Sequence, residues 1–252
     1  MNLDARTISI RFGSLTALDG VAFSPTIGEV TAVLGPNAAG KSTLLRAMAG
    51  LERVAAGEVR LDDRGIDRWT ARERARRLCY LPQQPDVVGR FSVGDVVGFG
   101  RVAWAGRSGD EDAVIEALAM VGLEGEIDRP YHDLSVGQRQ RTSLARAVLQ
   151  LGDGGWMLLD EPLSAQDPGE AARLVRLLAM LRDRGHGLLV VVHDPAVAWA
   201  LADRIVVLES GRLVADGTRS QVLQPERLRS IYGVEFEMGP AGPVPMLLPG
   251  SA

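Results

Sequence analysis

The sequence predicts an α/β fold with a mostly parallel sheet, an antiparallel β part near the N-terminus and an inserted α-helical subdomain. Three observations carry that prediction. Short apolar runs at 30–34, 156–159 and 188–192 have the length and composition of buried strands, and helix-like segments alternate with them. Strand signals cluster in the first 35 residues around glycine turns. From Ser92 to about Arg146 the pattern turns helical without a strand, which reads as a block inserted between strands.

In chain order, Ile8 and Ile10 alternate with polar neighbours across 7–12, and Phe12 meets Gly13 at the start of a turn. Phe12 reads as a core residue or as a ring free to stack on a base. Residues 19–25 and 30–34 read as further strands around the turn at Gly28, and 58–61 and 77–81 as shorter ones. Between these last two, the run Arg72-Glu73-Arg74-Ala75-Arg76-Arg77 reads as a solvated helix face with local Glu–Arg pairing. Ser92 is placed to cap a helix carrying Val93, Val96 and Val97. Residues 110–121 hold Val114, Ile115, Leu118 and Val121 at helical spacing, with 106–110 as separator. A third helix is expected from Ser135 through Gln150.

The buried strand at 156–159 ends in Asp160-Glu161. Asp167-Pro168 then opens a helix in the favoured cap and first-position order, with Leu174, Leu177, Leu178 and Leu181 as its apolar face. The strand at 188–192 ends at His193-Asp194-Pro195; a short helix, a strand at 205–208 and a turn at Glu209-Ser210-Gly211 follow. Residues 239–252 are rich in Gly and Pro and read as a poorly packed tail. The expected organisation is therefore a single domain over 1–238, with the helical subdomain at about 90–146.

The 252 residues are 46% hydrophobic and 24% charged, ordinary for a globular domain of this size. No apolar run approaches the roughly 18 residues of a membrane span, and the first ten residues lack a signal-peptide core. The single cysteine, Cys79, excludes an internal disulfide, suits a reducing cytosol and reads as a small core residue. A net charge of −4 argues against nucleic acid as the main partner. These readings place the chain in the cytoplasm.

The stretch Gly35-Pro36-Asn37-Ala38-Ala39-Gly40-Lys41-Ser42-Thr43 fits G-x-x-x-x-G-K-[ST] without gaps, between a strand and a helix. Its backbone N–H groups and the helix N-terminus suit phosphate oxygens. Lys41 would reach the β/γ-phosphates, and the Ser42 hydroxyl would sit on Mg²⁺. Lys41 is also the only lysine among 28 Lys and Arg residues. A compact ammonium fits between phosphates where a planar guanidinium does not. Hydrolysis further needs Mg²⁺ held from a second side and a group that orients water. Asp160 supplies the first, and Glu161 is the candidate base for the attacking water.

With these residues in view, the chain resembles the ATP-binding-cassette (ABC) ATPases over roughly residues 3–238. Leu134-Ser135-Val136-Gly137-Gln138 is similar to the family signature Leu-Ser-Gly-Gly-Gln. Gln83 stands where the family has its Q-loop, Ser164-Ala165-Gln166-Asp167 matches the D-loop, His193 the switch histidine, and Phe12 the aromatic that stacks on adenine. The resemblance implies a P-loop NTPase core, ATP as nucleotide, and Mg²⁺ at Ser42, Gln83 and Asp160. It implies a catalytic set of Lys41, Gln83, Glu161 and His193. It also implies a head-to-tail homodimer in which Ser135, Gly137, Gln138 and Asp167 meet the nucleotide held by the other subunit. Ser135 and Gly137 open a helix, where hydroxyl, backbone N–H groups and dipole together suit an anion. His132 and His186 match no motif and read as surface residues.

A cassette without membrane spans implies separate permease subunits, a place on the cytoplasmic face of the membrane, and an extracytoplasmic binding protein. Gly98-Phe99-Gly100-Arg101, Asp128-Arg129-Pro130-Tyr131 and Ile231-Tyr232-Gly233-Val234 are similar to stretches in ATPases of iron-siderophore, haem and cobalamin importers. The Gly-rich insertion at 150–155 is similar to one in the haem and cobalamin types. The rival is a non-transport cassette serving as a scaffold or assembly factor, for example in iron–sulfur cluster assembly, or a cassette for another substrate. A P-loop kinase or GTPase is disfavoured by the signature and the switch histidine.

Three positions depart from the family pattern. Ala38 replaces a glycine, tolerable only if that residue needs no φ > 0. Val136 replaces the first signature glycine, and Gln166 the common D-loop leucine. Gln83 precedes a Pro-bearing segment at 84–89 that reads as a hinge, and surface residues near Phe91, Ser92 and Val93 are expected to meet a permease helix.

Overall fold

Two strands open the chain, β1 (Leu3–Phe12) and β2 (Leu15–Phe23), paired antiparallel across the turn at Gly13. The computed structural model describes residues 1–84, 87–104, 111–151, 154–164 and 167–246. β3 (Val30–Leu34) is buried along its whole length and runs through the glycine loop into α1 (Lys41–Met48). β4 (Ala56–Leu61) and β5 (Arg64–Gly65) return to the first sheet, whose order is β2-β1-β4-β5. The short α2 (Ala71–Ala75) starts with a reciprocal cap between Thr70 and Glu73 and leads to β6 (Leu78–Leu81).

Helices then take over. α3 (Val93–Gly98) is capped by Ser92 in a box closed by Asp95 and runs into a 3₁₀ turn at Phe99–Trp104. α4 (Glu111–Met120) and α5 (Val136–Leu151) follow, and β7 (Gly155–Asp160) re-enters the sheet. The remainder alternates: α6 (Pro168–Asp183), β8 (His186–Val191), α7 (Pro195–Leu201), β9 (Arg204–Glu209) and β10 (Arg212–Thr218). α8 (Arg219–Val222), α9 (Pro225–Tyr232) and the hairpin of β11 (Phe236–Gly239) and β12 (Gly242–Pro245) close the described chain. No helix among the described residues is long and apolar enough to cross a membrane.

The second sheet has the order β10-β9-β3-β8-β7-β6; its neighbours pair in parallel except for β10, which folds back on β9. Side chains alternate across it. Val30, Ala32, Met157, Leu159, Leu188 and Val190 join one core with the helices of the inserted block, α6 and α7. Val33, Trp156, Leu158, Leu189 and Val191 join a second core with α1 and the antiparallel sheet. Both faces are therefore dry, which explains why these strands read as unbroken apolar runs. The carboxyl ends of β3, β8, β7 and β6, four consecutive strands, all open on the same edge, where ligands bind in open α/β sheets.

The structure corrects several sequence expectations. His186 is not a surface residue: it starts β8 opposite Gly155 of β7 and is 1% exposed. Residues 239–245 are not a loose tail. They form the β11–β12 hairpin, and Gly242 lies so close to Trp199 that a Cβ there would meet the indole at 2.8 Å. Residues 247–252 lie outside the described residues, as do the separator at 106–110 and Gln166.

The arginine run on and after α2 is more than a solvated face. Arg72 and Arg76 each donate Nε–H to the Ala103 carbonyl, and Arg77 lies over the Trp69 ring at 4.4 Å. The stems cover aromatic surface while the charged heads find acceptors. Ile115, at a helical core spacing, is 48% exposed, because α4 turns Ala117 and Leu118 inward instead. Val93, the first residue of α3, is fully buried, so it offers no surface to a partner, whereas the nearby Val88 is 90% exposed.

Candidate active site

Backbone crowding shapes the loop between β3 and α1. A Cβ at Gly35 would stand 2.0 Å from the Leu208 carbonyl oxygen, and one at Gly40 2.5 Å from that of Ala17. Both glycines also take positive φ, 142° and 99°. The loop is thus wedged between β9 and β2, and no side chain fits at either position. Gly211 donates to the Ala39 carbonyl and Asp19 to that of Gly211, which ties the loop to the β9–β10 turn. Leu44 donates to the Gly40 carbonyl, the first turn of α1.

Ala38 takes φ 61°, so the condition under which its methyl would be harmless does not hold. An L-residue in the left-handed region costs about 1–2 kcal/mol, which glycine avoids at some loss of chain entropy. Ala38→Gly should therefore stabilise the chain by about 0.5–1 kcal/mol, read as a rise in thermal midpoint, with ATP binding retained. An unchanged or lowered midpoint would show that the loop bears no strain there.

Lys41 folds beneath the loop, 5% exposed, and its Nζ donates to the Gly35 and Pro36 carbonyls at 2.9 Å each. Burial lowers its pKa, and the nearby Glu161 and Asp160 carboxylates oppose that shift. Next to it, the Ser42 hydroxyl donates to Asp160 Oδ1 at 3.0 Å, and the Tyr80 hydroxyl donates to Oδ2 at 3.1 Å. Tyr80 pairs with Leu158 across the β6–β7 ladder, two residues before Asp160 and on the same face. Sequence reasoning missed Tyr80. Its one signal was a phenol in an otherwise apolar strand, which must find a partner for its hydroxyl.

Asp160 is 5% exposed, and desolvation raises its pKa against the two hydroxyl donors. A carboxyl whose folded pKa is raised contributes stability below its unfolded pKa, and that contribution is lost as pH rises through the folded value. Asp160 should thus place a penalty on the fold at neutral pH. Asp160→Asn should raise the chain's thermal midpoint at pH 7 and flatten the loss of stability as pH rises above the ordinary carboxylate range. A lower midpoint at pH 7 would contradict this.

Glu161 follows in the left-handed region, φ 50°, an uncommon conformation for a residue without a glycine's freedom. Ser164 holds the turn by donating both N–H and Oγ–H to the Glu161 carbonyl, at 3.1 and 2.8 Å. The carboxylate is bridged on both sides: Gln83 Nε2 donates to Oε2, and His193 Nε2 contacts Oε1. The Gln83 carbonyl in turn accepts from Gln140 of α5. Four strand ends thus deliver Lys41, Ser42, Gln83, Asp160, Glu161 and His193 to one edge. The arrangement provides a cation for phosphate, an oxygen pair for a hard metal ion, and a fixed carboxylate to take a proton from water.

Ser135, Gly137, Gln138, Asp167 and Phe12 are carried at the starts of α5 and α6 and at the end of β1, not at these four strand ends. Ser135 and Gln138 cap each other at the start of α5, with backbone-to-side-chain bonds of 3.0 and 3.2 Å. Gly137 lies in the same turn, and Val136 is 56% exposed. Asp167 caps α6 by accepting from Glu170 N–H at 2.9 Å. Phe12 ends β1 with its ring 48% exposed. Asn37 and Thr43 lie within the loop and the first turn of α1. Cys79 is buried as expected, and burial pushes its thiol up to about 12, which leaves it inert.

The family model for the ABC transporter matches residues 18–164. The hemin import ATP-binding protein HmuV of Rhodococcus jostii is 42% identical over 241 residues, 94% of this chain and 82% of that protein. Its namesake in Pseudomonas aeruginosa is 43% identical over 237 residues, 92% of this chain and 93% of that one. Among solved structures, cbiO1 from Clostridium perfringens, part of the ABC transporter complex cbiONQ, superposes with a TM-score of 0.75. It is 25% identical, over 92% of this chain and 95% of its own.

Proposed function

We propose a function from one premise: the chain belongs to the ABC transporter family, and it is an ATPase of that family. Its ATP hydrolysis drives the import of haem through a membrane permease. The observation that carries this reading is the similarity to hemin import ATP-binding proteins above 40% across nearly the whole chain. No specific observation favours an assembly or scaffold role.

In this reading ATP lies on the glycine loop from Gly35 to Thr43, with its adenine against Phe12. Lys41 exchanges the Gly35 and Pro36 carbonyls for β/γ-phosphate oxygens. The donors at Ser42 and Asp160 are oxygens, one of them a buried carboxylate with only hydroxyl partners among its hydrogen bonds, a set that fits Mg²⁺ held jointly with substrate phosphates. Ser42, Asp160 and Gln83 would hold that ion, whose chemistry is to neutralise phosphate charge. Glu161 takes the proton from the attacking water. Because both its oxygens are engaged, by Gln83 and His193, those two side chains fix its aim and act as γ-phosphate sensors once nucleotide is present.

The second half of each site comes from another copy. Ser135, Gly137, Gln138 and Asp167 lie at the starts of α5 and α6 rather than on the loop, which suits a head-to-tail homodimer with ATP sandwiched between subunits. The helices inserted between β6 and β7 act as a subdomain that Gln83, bonded to α5 through Gln140, swings as nucleotide binds and leaves. The permease docks at this junction, where Val88 and Arg90 are exposed. An extracytoplasmic binding protein delivers haem, and the ATPase sits on the cytoplasmic face.

The test is reconstitution with a haem-importer permease in proteoliposomes. ATP-dependent haem uptake is the expected result. Cysteines at Val88 and Arg90 should cross-link to the permease, and charge substitutions there should leave ATP binding intact while uncoupling hydrolysis from uptake. Uptake of another metal chelate in place of haem would correct the substrate; capture of a soluble assembly complex and no permease would overturn the reading.

A further inference from the structure

Away from the nucleotide edge, a cavity of about 340 Å³ opens between α4 and α6. Its floor is apolar, formed by Val121, Leu174, Leu177 and Met180. Its rim is basic. Arg141, Arg173 and Arg176 line it together with a single carboxylate, Glu170. Arg141 and Arg173 reach that carboxylate at 3.1 and 3.2 Å, and Arg176 stands exposed beside them. Three guanidinium groups against one carboxylate leave an excess of positive charge above an apolar floor.

We propose that this cavity binds a single-chain anionic amphiphile, a medium-chain fatty carboxylate, whose occupancy slows ATP turnover. The tail lies on the Leu174–Leu177 floor, where removal of apolar area from water favours binding. The headgroup meets the rim, because the guanidinium fork matches a carboxylate in bidentate fashion. The volume falls within the roughly 300–1,000 Å³ of small-molecule sites.

The effect on turnover follows from what the headgroup competes with. Arg141 lies on α5, whose first turn carries Gly137 and follows Ser135, while Glu170 lies in the first turn of α6 and donates its N–H to Asp167. The Arg141–Glu170 pair therefore joins the helix behind the signature to the helix behind Asp167. A carboxylate that draws Arg141 and Arg173 from Glu170 loosens that joint. The binding claim is independent of haem import, and only the turnover readout uses the ATPase reading.

Calorimetric titration of the full chain with decanoate tests the site. Saturable binding at one decanoate per chain is expected, with none for acetate, which lacks the tail, or decanol, which lacks the charge. In the Arg173→Glu/Arg176→Glu variant, altered only at exposed rim positions, affinity should fall about tenfold or more. Decanoate should slow ATP turnover in the parent chain and not in the variant. Absence of saturable binding, or binding undiminished in the variant, overturns the site, and binding without any effect on turnover overturns the coupling. Recruitment to anionic phospholipid vesicles with no response to monomeric decanoate assigns the rim to a membrane surface and overturns the proposal as well.

Discussion

Glu161→Gln should leave a chain that binds Mg-ATP and barely turns it over. The amide keeps the size of the carboxylate and an oxygen that can accept from Gln83, but it cannot accept a proton from water. Loss of a positioned base costs about 10²–10⁴ in rate, or about 3–5 kcal/mol of barrier. The left-handed backbone at 161 and the Ser164 bonds survive the change, so the geometry is preserved and the lost chemistry is isolated. With hydrolysis blocked, the ATP-bound state accumulates, and in the homodimer reading so does the dimer. Turnover assays with gel filtration in the presence of ATP check both parts. A monomer that hydrolyses ATP at the parent rate would remove Glu161 from the mechanism.

Lys41→Ala should abolish turnover and greatly weaken nucleotide binding. The ammonium is buried, bonded to two loop carbonyls and close to the Glu161 and Asp160 carboxylates, so it is held in place to receive phosphate. Truncating one partner of a buried, hydrogen-bonded charge pair costs about 2–5 kcal/mol, which corresponds to a fall in ATP affinity of roughly 30-fold to several thousand-fold. Lys41→Arg should be severely impaired as well, because the planar fork does not fit the space beneath the loop. Nucleotide titration monitored by calorimetry decides the matter, and normal turnover in Lys41→Arg would refute the role.

Much of this site was legible in the sequence alone. The glycine loop declares itself within nine residues, because close backbone approach and a helix start are local demands that only certain residues meet. Asp160 was visible as the polar end of an apolar strand, and Asp167 as a cap before proline. Other features had no local signature. Tyr80 meets Asp160 across 80 residues of sequence, and Gln83 meets Glu161 across 78. His186 looks like a surface residue in the sequence, yet the sheet buries it at the start of a central strand. Ala38 gives no hint from its chemistry that its backbone is left-handed.

The sequence by itself determined which short segments become strands and helices, where they are capped, and which residues carry charge to the end of each strand. Those properties arise from side-chain periodicity and from hydrogen bonds within a few residues. Only the tertiary structure decided that β3, β8, β7 and β6 lie side by side, so that their ends deliver Lys41, His193, Asp160, Glu161 and Gln83 to one place. It likewise decided that the last hairpin closes over Trp199 and that Glu170 bridges toward Arg141. The order of strands in a parallel sheet is set by the packing of helices over both faces and by crossovers that join distant segments, and no local pattern records it.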